Sequence, residues 1–210
     1  FISGEKEKLK EYMKKSFQFV FFLAFPIMIG LVIVSAKFVP IFFGEGYDKV
    51  SILIKVISPI ILFIGLSNII GTQFLLPTKR QKEFTISVTA GAIINFILNM
   101  ILIRGFQSVG ASIATVFAEL LVTSIQIYCI RDVFNIKEIL EIAKNNVISI
   151  ITMTIACLVI AIFAKNTIIC LALQVIIGAI VYFATLVILK DEFIQDIIDR
   201  IKGVILRFSN

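Results

Sequence analysis

Four side chains in this 210-residue sequence combine polar or ionisable types with spacings that bring them within about one helical turn of one another in depth: Lys55, Asn95, Asn99 and Glu119. All lie within long apolar runs, where ionisable and amide groups are costly and usually face a bundle interior or a watery cavity. Asn95 and Asn99 are four residues apart, one helical turn on one face. Counted from the ends of their runs, Asn95 and Glu119 sit roughly 12 Å below one boundary, and Lys55 roughly 6 Å below it, level with Asn99. Together they form a candidate substrate or ion cavity. Each also has a plainer reading. Lys55 is shallow enough to snorkel, Asn95 and Asn99 can hydrogen-bond between helices, and Glu119 can be neutral or salt-bridged.

Other chemistry is excluded early. There is no His, which removes His-dependent catalysis and His-ligated metal sites. Cys129, Cys157 and Cys170 are odd in number and sit in or beside apolar runs, so they read as small buried side chains and supply neither a disulfide framework nor a metal site. No phosphate-binding glycine motif is present, and no span offers the paired Asp residues of an aspartyl protease. The protein is not expected to be an enzyme.

The elements that must position these residues are membrane helices. Hydrophobic residues make up 59% of the chain and charged residues only 16%, against roughly 45–50% and 25% in soluble domains. Six apolar runs are each long enough to cross roughly 30 Å of hydrocarbon: 16–36, 51–76, 84–103, 111–130, 147–164 and 168–189. The expected fold is therefore all-α and polytopic, with six transmembrane helices. Residues 1–15 form a basic leader, 16–130 a four-helix part, 131–146 an amphipathic connector, 147–189 a terminal helix pair and 190–210 an amphipathic tail. In the tail Phe193, Ile194, Ile197, Ile198, Ile201, Val204, Ile205 and Phe208 recur at helical spacing, the pattern of an interfacial helix. Spans five and six read as peripheral and lipid-facing. Pro26 in span one, and Pro59 and Gly65 in span two, are candidate hinges.

Charge gives an orientation. Fifteen of the twenty Lys and Arg lie in the leader, loop 77–83, segment 131–146 and the tail; four (Lys37, Lys49, Arg104, Lys165) lie on the other side. By the positive-inside rule both ends of this stretch are cytoplasmic. The net charge of +6 then reflects topology and anionic lipid, so nucleic acid is not an expected partner. Because the sequence starts at Phe1, it reads as the C-terminal piece of a longer protein.

Several stretches together resemble the C-terminal half of a Wzx-type polysaccharide flippase of the multidrug/oligosaccharidyl-lipid/polysaccharide exporter superfamily. They are Pro26 with Ile41-Phe42-Phe43-Gly44-Glu45-Gly46-Tyr47-Asp48-Lys49-Val50-Ser51, then Gly71-Thr72-Gln73-Phe74-Leu75-Leu76-Pro77-Thr78-Lys79-Arg80. Gly91 with Asn95-Phe96-Ile97-Leu98-Asn99 follows, and then Val109-Gly110-Ala111-Ser112-Ile113-Ala114-Thr115 leading to Glu119. The resemblance is strongest over residues 25–120. It implies one lobe of a 12–14-span transporter in a bacterial inner membrane, working by alternating access. The implied substrate is an undecaprenyl-pyrophosphate-linked oligosaccharide. The implied partners are the lipid bilayer, an N-terminal lobe of the same protein and polysaccharide polymerase machinery. It implies no cofactor beyond coupling to H⁺ or Na⁺. A diphosphate needs cations, and Lys79, Arg80 and Arg104 are the candidate mouth cations beside Lys55. Alternatives left open are a cation-coupled multidrug antiporter, a peptidoglycan-precursor flippase, and a non-transporting scaffold of a polysaccharide or cell-wall assembly complex.

Overall fold

The computed structural model describes the backbone of residues 3–163 and 167–208 and the side chains of residues 7–163 and 168–202. Phe1, Ile2, Ala164 and Lys165, and the side chains of Lys6, Val204, Ile205, Arg207 and Phe208, lie outside these ranges. The described chain is all-helical: α1 (Ser3–Phe43), α2 (Asp48–Ile57), α3 (Ile60–Ser67), a π-helical stretch (Asn68–Leu75), α4 (Gln81–Cys129), α5 (Ile136–Phe163), α6 (Thr167–Ile188) and α7 (Glu192–Phe208).

Five helical stretches are long and apolar enough to cross a membrane. The 49-residue α4 accounts for two crossings, because the chain reverses at Gln107 (φ 51°, ψ −128°). Its arms then run antiparallel, with Ser87 bonded to Gln126 and Gly91 seated against Ala118 and Val122. The six expected crossings are therefore present, in a multi-pass membrane protein. Helix is the only open-ended way to satisfy a backbone in lipid.

Boundaries differ from the sequence reading in three places. The leader is no separate segment: α1 is continuous from Ser3 and, at 1.5 Å per residue, roughly 60 Å long. The expected loop 104–110 shrinks to the single non-helical residue Gln107. The connector 131–146 is a turn followed by the first turns of α5, whose Ile139 and Ala143 are buried in the core.

α1 is the hub. One side carries Phe17, Phe21 and Phe25 at four-residue spacing, stacked at 6.4 and 5.5 Å between centroids. This ladder packs with Leu66, Ile69, Ile70, Phe74 and Leu75 of the second crossing and with Phe134, whose ring meets Phe17 edge-on at 5.5 Å. The other side receives α5 and α6 through Met153, Cys157, Tyr182 and Leu186. That docking has a specific polar cause. Pro26 has no N–H, so the Phe22 carbonyl four residues earlier loses its helical donor. The Tyr182 hydroxyl of α6 supplies one at 3.1 Å and lies 2.5 Å from the Asn146 amide of α5. A phenol has one proton, so it serves Phe22 O when the Asn146 amide is turned over and its N–H donates to the phenol oxygen. Spans five and six do present many apolar side chains outward, such as Ile169, Val175, Ile176 and Ile180. They are nonetheless tied to α1 by this polar contact.

The basic segments gather at one end of the bundle. Lys10 pairs with Glu138 (2.7 Å) and Lys14 with Glu192 (2.6 Å), which joins α1 to α5 and α7. The amphipathic tail folds as the helix α7, but part of its apolar face turns inward: Ile194 is fully buried, and Phe193 and Ile198 pack on the α1–α6 cluster. The α6–α7 corner is a Schellman turn, with Asp191 N–H bonded to Leu186 O (3.0 Å), Lys190 N–H to Val187 O (3.1 Å), and Lys190 at φ 52°. Asp191 caps α7 through Phe193 N–H (3.2 Å) and accepts from Asn145 Nδ2 (3.0 Å).

This corner predicts two opposite shifts. Lys190→Gly relieves the left-handed backbone and is expected to stabilise by about 1 kcal/mol. Asp191→Ala removes a cap and is expected to cost about 1–2 kcal/mol. Denaturant unfolding of the purified protein in detergent measures both.

Candidate functional site

The four candidate cavity residues sit on three crossings. Asn95 and Asn99 are on the first arm of α4 and bond to each other: Asn99 Nδ2 donates to the Asn95 carbonyl (2.9 Å) and to its side-chain oxygen. Glu119, on the second arm, is level with Asn95 by the register that pairs Gly91 with Val122. It lies one turn before Thr123 on the same face, and Thr123 Oγ1 donates to the Phe63 carbonyl of α3 (3.0 Å). Glu119 is half-buried and makes no hydrogen bond or ion pair among the described residues. Lys55 is exposed on α2 and is not ion-paired with it. The hairpin register thus brings Asn95 and Glu119 to one level, with Asn99 one turn away, while Lys55 is exposed on α2.

Glycines set how closely these elements approach. A Cβ on Gly91 would run into the Val122 side chain, and one on Gly71 would sit 2.8 Å from the Phe84 ring and 2.9 Å from Gln126 Nε2. Gly65 is packed the same way, 2.7 Å from Val20 Cγ1 of α1, so this hinge candidate is also a close-contact site between α1 and α3. Pro59 does interrupt the second crossing. Ser58 bridges the interruption, its Oγ donating to Lys55 O (3.1 Å), the carbonyl that Pro59 leaves without a helical donor. Pro26 lies inside a continuous α1, with its unmet carbonyl served by Tyr182.

The mouth cations divide. Arg80 is fully engaged: Nε and Nη2 hold both oxygens of Glu83 (2.9 and 2.7 Å), Nη1 reaches Asp132 (3.1 Å), and Nη2 also donates to the Cys129 carbonyl. The hydrogen bonds to Glu83 and then Asp132 raise its already high pKa further, so it is a permanent cation. Expected as an anion-facing residue, it instead ties loop 77–80 to the end of α4 and the following turn. Lys79 is exposed in a left-handed conformation (φ 62°), and Arg104 is exposed near the hairpin tip. At that tip Lys49 reaches Gln107 Oε1 at 3.5 Å.

Sequence reasoning missed the π-helical stretch. Its wider turn is marked by Leu76 N–H bonding to Gly71 O, five residues back (3.1 Å). The only signal for it was the polar run Asn68, Thr72 and Gln73 near Gly71. Also missed were the buried Asn146 and Tyr182, which carry the α5–α6 docking. Among the described residues no cluster of potential ligands could hold a metal ion.

Comparison with known proteins adds the family context. A family model described as "Polysaccharide biosynthesis protein" matches residues 2–52. The "Putative O-antigen transporter" of Escherichia coli K12 is 31% identical over 120 residues, 57% of this chain and 29% of that protein. "Lipopolysaccharide biosynthesis protein WzxC" of the same bacterium is 28% identical over 87 residues, 41% of this chain and 18% of that protein. Among solved structures, "Lipid II flippase MurJ, inward closed conformation" superposes with a TM-score of 0.73 at 22% identity, over 94% of this chain and 41% of that chain. That superposition shows a shared fold. The resemblance to Wzx-type flippases read from the sequence is upheld, and the relatives named for an activity are a transporter and a flippase rather than enzymes. The chain spans less than half the length of each of these relatives.

The close approach of the α4 arms predicts that Gly91→Val costs about 1–3 kcal/mol by overpacking. Gly30 has nothing within 4 Å of where its Cβ would stand. Gly30→Ala is therefore expected to be stabilising by up to about 1 kcal/mol through helix propensity. Unfolding of the two variants in the same detergent checks the contrast.

Proposed function

We propose that this chain is part of a flippase that moves undecaprenyl-pyrophosphate-linked oligosaccharide units from the inner to the outer leaflet of a bacterial inner membrane, for polysaccharide biosynthesis. The observation that carries the proposal is the 31% identity over 120 residues to a protein named as an O-antigen transporter. The helical lobe, with its packed arms and interrupted second crossing, supports it physically. The basic end, where α1, loop 77–80, the start of α5 and α7 meet, faces the cytoplasm in this reading.

The roles follow from the geometry. The α4 hairpin forms the stiff part of the lobe, because its arms meet glycine-close at Gly91 and Val122 and are bonded through Ser87 and Gln126. The second crossing, broken at Pro59 and widened over Asn68–Leu75, is the part able to change shape. Pro26, Pro59 and Gly65 then serve as hinges for alternating access. Glu119 has no ion pair to release among the described residues, so it can exchange H⁺ or Na⁺ as the access changes. With Arg80 held by two carboxylates, most of the charge facing the diphosphate comes from elsewhere in the full protein. The polysaccharide polymerase would receive the product on the outer face.

The test uses cells lacking the full-length gene. Lipid-linked oligosaccharide is measured on each face of the inner membrane, with and without the gene restored. The expected result is accumulation on the cytoplasmic face, cleared by the wild-type gene and not by Glu119→Gln. An unchanged distribution would refute the proposal. Accumulation of the peptidoglycan precursor instead would assign the protein to that substrate, and restored drug resistance alone would point to an antiporter.

A further inference from the structure

Between α1 and the π-helical stretch, near the basic end, lies an open recess of about 650 Å³. Tyr12, Lys15, Ser16 and Phe19 line it from α1, and Asn68 and Gln73 from the second crossing. The π-helical repeat brings Asn68 and Gln73, five residues apart, over one another: Gln73 Nε2 donates to Asn68 Oδ1 (3.4 Å). Asn68 Oδ1 also accepts from Thr72 Oγ1 (3.1 Å), and Gln73 Oε1 accepts from Ser16 Oγ (3.5 Å). The acceptor oxygens of both amides are thus used within the protein.

The donors are not. Among the described residues both N–H bonds of Asn68 and one of Gln73 have no partner, and Lys15, bonded to Glu11 (2.7 Å), keeps further N–H bonds to spare. Asn68 and Gln73 are exposed, yet they belong to a crossing apolar enough to span lipid. Exposed amide donors facing hydrocarbon would be costly, so this face meets water or polar groups rather than lipid tails. An occupant rich in oxygen acceptors matches the donor set. Flanking the donors are the rings of Tyr12, 71% exposed, and Phe19, 51% exposed. Such rings suit the C–H faces of a pyranose, as aromatic faces with a polar tip do at interfaces.

We propose that this recess binds a glycosyl diphosphate head group of a lipid carrier: oxygens of the sugar and the adjoining phosphate on Asn68, Gln73 and Lys15, the sugar ring against Tyr12 or Phe19. The proposal rests on the flippase reading above and gives it a first docking point on the basic side of the lobe. Lys15 sits at the mouth and Asn68 deeper, the order in which a head group entering from the basic end would meet them.

The experiment measures binding of undecaprenyl-pyrophosphate-linked N-acetylglucosamine to the purified full-length protein in nanodiscs by native mass spectrometry. UDP-N-acetylglucosamine and undecaprenyl phosphate serve as competitors. Asn68→Leu with Gln73→Leu is expected to weaken binding by about tenfold or more, since it removes several hydrogen bonds to a charged group. Tyr12→Ala, on an exposed side chain that folding does not need, is expected to weaken it severalfold with an unchanged melting temperature. Tyr12→Phe is expected to retain binding. If the double variant fails to fold, Tyr12→Ala against Tyr12→Phe decides. Variants that bind within twofold of wild type would overturn the site while leaving the flippase reading intact. Wild-type protein that does not bind the probe would count against both. Competition by UDP-N-acetylglucosamine at equal concentration would overturn the assignment to a lipid carrier.

Discussion

An unmet carbonyl in the middle of a membrane helix organises this lobe. Pro26 removes the donor that Phe22 O would have had, in a setting where no bulk water can replace it. Leaving it unpaired would cost on the order of several kcal/mol. The Tyr182 hydroxyl meets it from 160 residues away in sequence, and Asn146 stands beside that hydroxyl. One polar contact thereby fixes three helices in register. With α6 docked at Phe22, α7 starts where Glu192 can reach Lys14 and Gln18, and α5 starts where Glu138 can reach Lys10. The apolar contacts around Met153, Cys157 and Leu186 add area, but area alone does not choose a register.

The opposite face of α1 is held by shape. The phenylalanine ladder fills the space against the π-helical stretch, and Gly65 lets α3 approach Val20 of α1, as Gly71 and Gly91 do for the contacts with and within α4. Membrane helices gain little from burying apolar surface against one another, so such close packing and a few hydrogen bonds decide which faces meet. The two faces of α1 therefore differ in kind. One is tied by a directional bond at a proline, the other by interlocking surfaces.

The six crossings and the shared side of the basic segments were legible in the sequence, because both follow from composition over windows of about 20 residues. The hairpin of spans three and four was legible too, through the short link between them and the small residues at 91, 110, 111 and 114. Long-range partners were not. Nothing local marks Tyr182 as the donor to Phe22, or Asp132 as a partner of Arg80 52 residues earlier. Arg80 looked like an anion-facing cation because Asp132 becomes its neighbour only through the fold, although Glu83 was already three residues away. The reversal was legible only as a short link: its single positive φ falls on Gln107, while Gly105 stays helical. The π-helical turn has no sequence period of its own over eight residues, so nothing in the sequence sets Gln73 over Asn68.

The dependence on Pro26 can be measured by a double-mutant cycle of Pro26→Ala and Tyr182→Phe, read by unfolding in detergent. In Pro26→Ala the restored N–H of residue 26 bonds Phe22 O, and the phenol becomes dispensable. Tyr182→Phe is then expected to destabilise the wild type by about 1–2 kcal/mol more than it destabilises the Pro26→Ala background. Strict additivity of the two substitutions would contradict the account, because it would mean that Tyr182 does nothing for the carbonyl that the proline exposes.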